Sequence, residues 1–171
     1  MKLTIKQLTT LAILIALEVI LSRFFSITIA NVSKISFSFV AVGVMAIYFG
    51  PKYTVFGCVV ADLIGATLFP SGPFFPGFTV SAAITGFVYG VFLFKQHFSW
   101  WRITLINVIL FFVLTLGLNP LWLMIMFGDS YQALALVRIP NSLVSMVVQV
   151  IVFGLIQKTV LSKLIFTDLK Q

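Results

Sequence analysis

Six apolar stretches follow one another along the chain with only short connections between them, at roughly 6–27, 34–50, 53–69, 78–95, 102–127 and 132–162. A helix needs about 20 apolar residues to cross the hydrocarbon of a bilayer. Hydrophobic residues make up 61% of the 171, charged residues 9%, and the mean hydropathy is +1.17. A soluble domain of this length needs far more charged surface. The expected fold is therefore an all-α integral membrane protein, a bundle of six transmembrane helices. It fills residues 1–171 as a single membrane domain and leaves no room for a separate soluble one.

The cations sort by membrane side. Lys2, Lys6, Lys52, Lys95, Arg102, Lys158, Lys163 and Lys170 fall at the ends and connections that share the N-terminus's side. The positive-inside tendency makes that side cytoplasmic, and an even number of spans places both termini there. The net charge of +7 is thereby assigned to orientation in the bilayer, and no nucleic-acid partner is expected. The basic start and apolar run of the first 25 residues suit a signal peptide. Five further spans and no convincing cleavage site favour a retained first helix. Cys58 lies within a span, has no second cysteine to pair with, and reads as a small packing residue.

The connections carry their own signals. Gly50-Pro51-Lys52 reads as a tight inner turn between the second and third spans. Lys95 to Arg102 forms the next inner connection, and its Trp100-Trp101 pair suits the headgroup layer. Pro140 predicts a kink or break in the last span, and Pro120, preceded by Asn119, a second kink in the fifth. Gly57, Ala61 and Gly65 recur every four residues, as do Gly86 and Gly90. Small residues at that spacing let helix backbones approach closely, which suits ordinary bundle packing. Ala12 and Ala16 form a similar groove in the first span. It serves either a neighbouring helix of the same chain or a partner protein.

Three cations, Arg23, Lys34 and Arg138, lie at the opposite ends of spans, where topology gives them no benefit. A cation near hydrocarbon calls for a partner, so these three are candidate parts of an outward-facing anion site. Arg23 follows a long apolar run and precedes Phe24-Phe25; its planar fork matches a carboxylate. Lys34 alternates with Ser36 and Ser38 among apolar neighbours, and snorkelling to the interface explains it equally well. Arg138 stands just before Pro140 and Asn141, where a broken helix would expose backbone groups.

The acids at membrane depth are Glu18 and Asp62. Asp62 either pairs with one of the three cations to hold the bundle or accepts hydrogen bonds from a ligand; a structural role is preferred for Glu18. The connection Phe69-Pro70-Ser71-Gly72-Pro73-Phe74-Phe75-Pro76-Gly77-Phe78 forbids helix through its prolines and glycines. Its phenylalanines would make a sticky exposed patch, which is resolved if the loop folds down as a lid. Enzyme signatures are missing. There is no H-E-x-x-H, no phosphate-binding G-x-x-x-x-G-K-[ST] and no nucleophile–base pair at membrane depth, and lone His97 builds no metal site. No enzyme activity, metal or cofactor is expected.

Asn31-Val-Ser-Lys-Ile-Ser-Phe-Ser-Phe39, Tyr48-Phe-Gly-Pro51, Ala61-Asp-Leu-Ile-Gly65 and Leu68-Phe-Pro-Ser-Gly-Pro-Phe-Phe-Pro-Gly-Phe78 resemble the substrate-binding S-components of energy-coupling factor (ECF) vitamin transporters, most of all the folate-specific branch. The resemblance covers nearly the whole chain. It implies a vitamin-capturing subunit of a bacterial cell membrane that works with a transmembrane coupling subunit and two ATPase subunits. It further implies that Ala12 and Ala16 dock on the coupling subunit. With folate as ligand, Arg23, Lys34 and Arg138 are expected to meet its glutamate, Phe37, Phe74 and Phe75 to stack on its rings, and Asp62 to accept from the pterin's amino edge. Asn31, Ser36, Asn107 and Asn141 are further polar candidates. The alternatives are an S-component for another vitamin such as pantothenate, and a stand-alone membrane carrier or channel.

Overall fold

The first helix begins where Thr4 can cap it. In the computed structural model, which describes residues 4–29, 33–70, 72–96, 99–128 and 131–156, α1 spans Ile5–Arg23. The Thr4 hydroxyl accepts from the Gln7 amide at 3.3 Å, and the Gln7 side chain accepts from the Thr4 amide at 3.0 Å. This reciprocal box satisfies two otherwise orphaned donors. One face of α1, with Leu11, Leu14, Ile15, Glu18 and Val19, is buried against the bundle. The opposite face exposes Leu8, Ile13, Leu17 and Ile20, apolar residues suited to lipid contact rather than water.

Directly after α1 the chain leaves the helix for a short hairpin before the bundle resumes. Strand β1 (Ser26–Ile29) pairs antiparallel with β2 (Ser33–Ser36), with Ser26 opposite Ser36 and Thr28 opposite Lys34. β-Branched Ile27, Thr28 and Ile29 favour extended backbone. Lys34 and Ser36 therefore belong to a hairpin strand, and the helix expected from residue 34 begins at Ser38.

Helix α2 (Ser38–Leu68) is interrupted at Gly50, whose φ of 75° and ψ of −177° are non-helical. Only glycine adopts this backbone region at little cost. The site has a second requirement: a Cβ at Gly50 would come within 2.9 Å of the Phe94 ring. Pro51 then opens the second half of α2, and the Thr54 hydroxyl donates back to the Gly50 carbonyl at 2.8 Å. Gly50→Ala is expected to lower stability by about 1–3 kcal/mol from backbone strain alone. Detergent-phase thermal unfolding checks this, and an unchanged midpoint would contradict it.

Helix α3 (Pro76–Leu93) lies against the second half of α2. Gly86 faces the Thr54 and Val55 backbone, and Gly90 faces Pro51, so these glycines serve close helix packing as their spacing predicts. The next span is α4 (Trp100–Leu110), a π-helical segment (Phe111–Leu118) and α5 (Asn119–Phe127), which ends at left-handed Gly128. Pro120 has no N–H and its ring clashes with the carbonyl four residues earlier in regular α-helix. The wider winding just before it absorbs that clash. Helix α6 (Tyr131–Ile156) passes through Pro140 as one uninterrupted helix, so the break expected there is absent.

Phe153, on α6, closes the centre of the core. It is 1% exposed, fills the space left by Gly43, and meets Phe39 and Tyr89 edge-on at ring separations of 6.3 and 6.2 Å. Ile5–Arg23, Ser38–Leu68, Pro76–Leu93 and Trp100–Phe127 are each long and apolar enough to cross a membrane.

Candidate ligand-binding site

A polar stripe runs along several of these apolar helices, and the stripes face one another. On α1 it is Glu18 and Ser22, with Arg23 beside them; on α2, Cys58 and Asp62; on α3, Ser81, Thr85 and Tyr89. Each set repeats at about one helical turn, which puts its members on a single face. Asn107, Thr115 and Asn119 continue the stripe along α4, the π segment and α5, and Ser142, Ser145 and Gln149 along α6. Together with Ser36 and Ser38 they enclose a cavity of about 560 Å³ whose remaining wall is apolar. That volume lies within the roughly 300–1,000 Å³ common for small-molecule sites.

The polar groups are held in place by one another. Asp62 accepts from the Thr79 hydroxyl at 2.8 Å. Ser81 donates to the Asn119 side-chain carbonyl and accepts from Trp122 Nε1, both at 3.1 Å, which ties α3 to α5. The Ser36 hydroxyl lies 2.9 Å from that of Ser38 and accepts from the Ser38 amide at 3.1 Å. The hairpin's last residue is thereby fixed at the start of α2. Asn107 is buried and donates to the Ile103 carbonyl at 2.9 Å, which leaves its side-chain oxygen as an acceptor.

Arg23 owes its position to Gly65. A Cβ at Gly65 would sit 2.6 Å from Arg23 Nε and 2.9 Å from Nη2, so the guanidinium occupies the space a side chain would take. The repeat Gly57-Ala61-Gly65 is thus more than helix packing, because its last member makes room for a cation on the cavity wall.

Arg23, Ser36, Asp62 and Asn107, four of the residues expected to bind ligand, share this wall. Phe37, Phe74 and Phe75 do not lie on it. Phe75 is engaged instead by Trp122 and Phe78, at ring separations of 5.7 and 6.3 Å, over the bare Cα of Gly77. Phe37 packs beside Phe39, and Phe74 stands 53% exposed. The side chains of Lys34, Arg138 and Asn141, and all of Asn31, lie outside the described residues. Sequence reasoning passed over Ser22, Ser81, Thr85, Asn119 and Gln149 and assigned Glu18 to structure. The four-residue spacing of Ser81, Thr85 and Tyr89 in an apolar span was the available signal.

Comparison with known proteins agrees with this architecture. Residues 6–157 match the family described as the ECF transporter, substrate-specific component. A folate transporter, FolT, from Leuconostoc mesenteroides is 35% identical over 133 residues, covering 77% of this chain and 70% of its own. One from Clostridium novyi is 32% identical over 142 residues, covering 83% and 82%. A solved structure, described as the crystal structure of FolT bound with folic acid, superposes with a TM-score of 0.81 at 34% identity, covering 88% of this chain and 91% of that one. The chain belongs to the substrate-specific components of ECF transporters, a family of multi-pass membrane proteins that serve transport rather than catalysis.

Proposed function

We propose that this chain captures folate from outside the cell, as the substrate-binding subunit of an ATP-driven ECF importer in a bacterial cytoplasmic membrane. The observation that carries the reading is the cavity itself. It sets a guanidinium, two acids and a ring of hydroxyl and amide groups in an otherwise apolar wall, on a fold shared with a FolT bound to folic acid. Folate is long, flat and amphiphilic: a donor-rich pterin, an aromatic linker and a glutamate with two carboxylates. Arg23 supplies a charge-assisted partner for the glutamate, and the hydroxyls of Ser36 and Ser38 adjoin it on the same wall. Lys34, Arg138 and Asn141 remain proposed contacts at the outer end, and so do Phe37, Phe74 and Phe75 as ring contacts, although they stand off the cavity wall.

The break at Gly50 supports counting α2 twice, and on that count the proposed arrangement is six spans in one membrane domain with both termini cytoplasmic. The exposure of Ala12 and Ala16 on the lipid side of α1 supports their use as the docking face for a transmembrane coupling subunit. Two ATPase subunits attached to it would supply the energy.

Reconstitution in liposomes tests this scheme. The chain alone is expected to bind labelled folate without sustained flux. Concentrative uptake is expected only with the coupling subunit, the ATPases and ATP, and unlabelled pantothenate should not compete. Steady flux through the chain alone would replace the importer subunit with a stand-alone carrier.

A further inference from the structure

Among the cavity's two acids, the one with an acceptor to spare is Glu18. It is only 9% exposed and lines the cavity beside Cys58, whose thiol lies within hydrogen-bonding reach of the carboxyl. Its Oε2 is fully buried and takes no hydrogen bond among the described residues. Asp62, by contrast, already accepts from Thr79 on α3. Buried polar atoms are nearly always satisfied, and a rotation of this cavity-lining carboxyl would turn the unsatisfied oxygen toward a ligand's donor. A thiol is a weak donor, and a carboxyl has acceptor capacity well beyond one such bond.

We infer that Glu18 is the residue that reads the pyrimidine edge of the ligand's pterin, accepting from the 2-amino group and the adjacent ring N–H. The inference rests on the folate reading above and moves that role from Asp62 to Glu18. Glu18 lies five residues before Arg23 on α1, about 7.5 Å along the helix axis. Acceptor and cation therefore stand at different depths on one wall, and a ligand with donors at one end and carboxylates at the other is held in a single direction. The site discriminates by chemistry as well as shape. Replacing the 2-amino group with a carbonyl oxygen sets acceptor against acceptor at Glu18, and a buried mismatch of that kind is rejected strongly.

The test compares folic acid with its 2-oxo analogue, in equilibrium binding to the purified full chain. The wild-type protein is expected to prefer folic acid by about a hundredfold. In Glu18→Gln the amide can donate to the 2-oxo group, so the preference should shrink by about tenfold or more, while p-aminobenzoylglutamate, which lacks the pterin, binds as before. A merely structural role for Glu18 would weaken all three ligands together. Asp62→Asn, at a half-buried position, is expected to keep the preference even where affinity falls; this variant decides the matter if Glu18→Gln does not fold. Equal wild-type binding of the two folates, an unchanged preference in Glu18→Gln, or a preference lost in Asp62→Asn would each overturn the assignment. Failure of the wild-type chain to bind folic acid at all would instead overturn the folate reading.

Discussion

Arg23→Ala is expected to weaken folate binding by about 30- to 150-fold, roughly 2–3 kcal/mol, the range for truncating one member of a desolvated charge pair. A pterin without the glutamate should lose no more than about twofold, since a neutral fragment has nothing for the guanidinium to meet. The site explains why an arginine is tolerated at this depth. Gly65 yields the space for it, and the cavity supplies a polar face that hydrocarbon does not. The same geometry provides an independent route to the result. Gly65→Val places carbon where Arg23 Nε lies, at 2.6 Å for the Cβ alone, and should reproduce the loss in smaller degree with Arg23 intact. Isothermal titration with the two ligands reads both variants. An equal loss for folate and for the glutamate-free pterin would contradict the role given to Arg23.

Ala12→Trp with Ala16→Trp is expected to abolish uptake by the assembled transporter, to about a tenth of wild type or less, with folate affinity unchanged. The two alanines are one turn apart on the exposed face of α1, while Leu11, Leu14, Ile15 and Val19 hold the opposite face in the core. Bulk added on that face cannot disturb the cavity, but it separates helix backbones that small residues allow to touch. Labelled-folate uptake and binding, measured on the same membranes, check the two halves of the expectation. Uptake that survives both substitutions would show that docking uses another surface.

These residues also show what was legible before any coordinates. The Gly50-Pro51 turn could be read because Gly50 and Pro51 are rigid local signals, and the break at Gly50 follows from them. Gly86 and Gly90 could be read because close packing of backbones leaves a periodic trace. The hairpin could not: Ile27 and Ile35 are apolar enough to pass for span ends, and pairing of Ser26 with Ser36 is a tertiary choice. The passage of α6 through Pro140 was also hidden, because a proline's clash can be absorbed by local winding, by neighbouring helices or by side chains. Within the site, charge placement led to Arg23 and Asp62 because ionised groups in apolar spans are conspicuous. A hydroxyl such as that of Thr85 is cheap to bury against its own helix. Thr85 donates to the Ser81 carbonyl at 2.9 Å, so such residues signal a site only when several fall on one face. The role proposed for Glu18 was out of reach for a different reason. Its role depends on which atom lacks a partner, and a sequence carries no such information.

The central claim, that this cavity is a folate site, is tested most directly by titrating the purified, detergent-solubilised chain with folic acid. The intrinsic fluorescence of Trp122, hydrogen-bonded to Ser81 on the cavity wall, gives the signal, with pantothenate, thiamine and riboflavin as competitors. The account predicts saturable one-to-one binding of folic acid that none of the three displaces. Binding of another of these vitamins in its place, by protein shown to be folded, would contradict it.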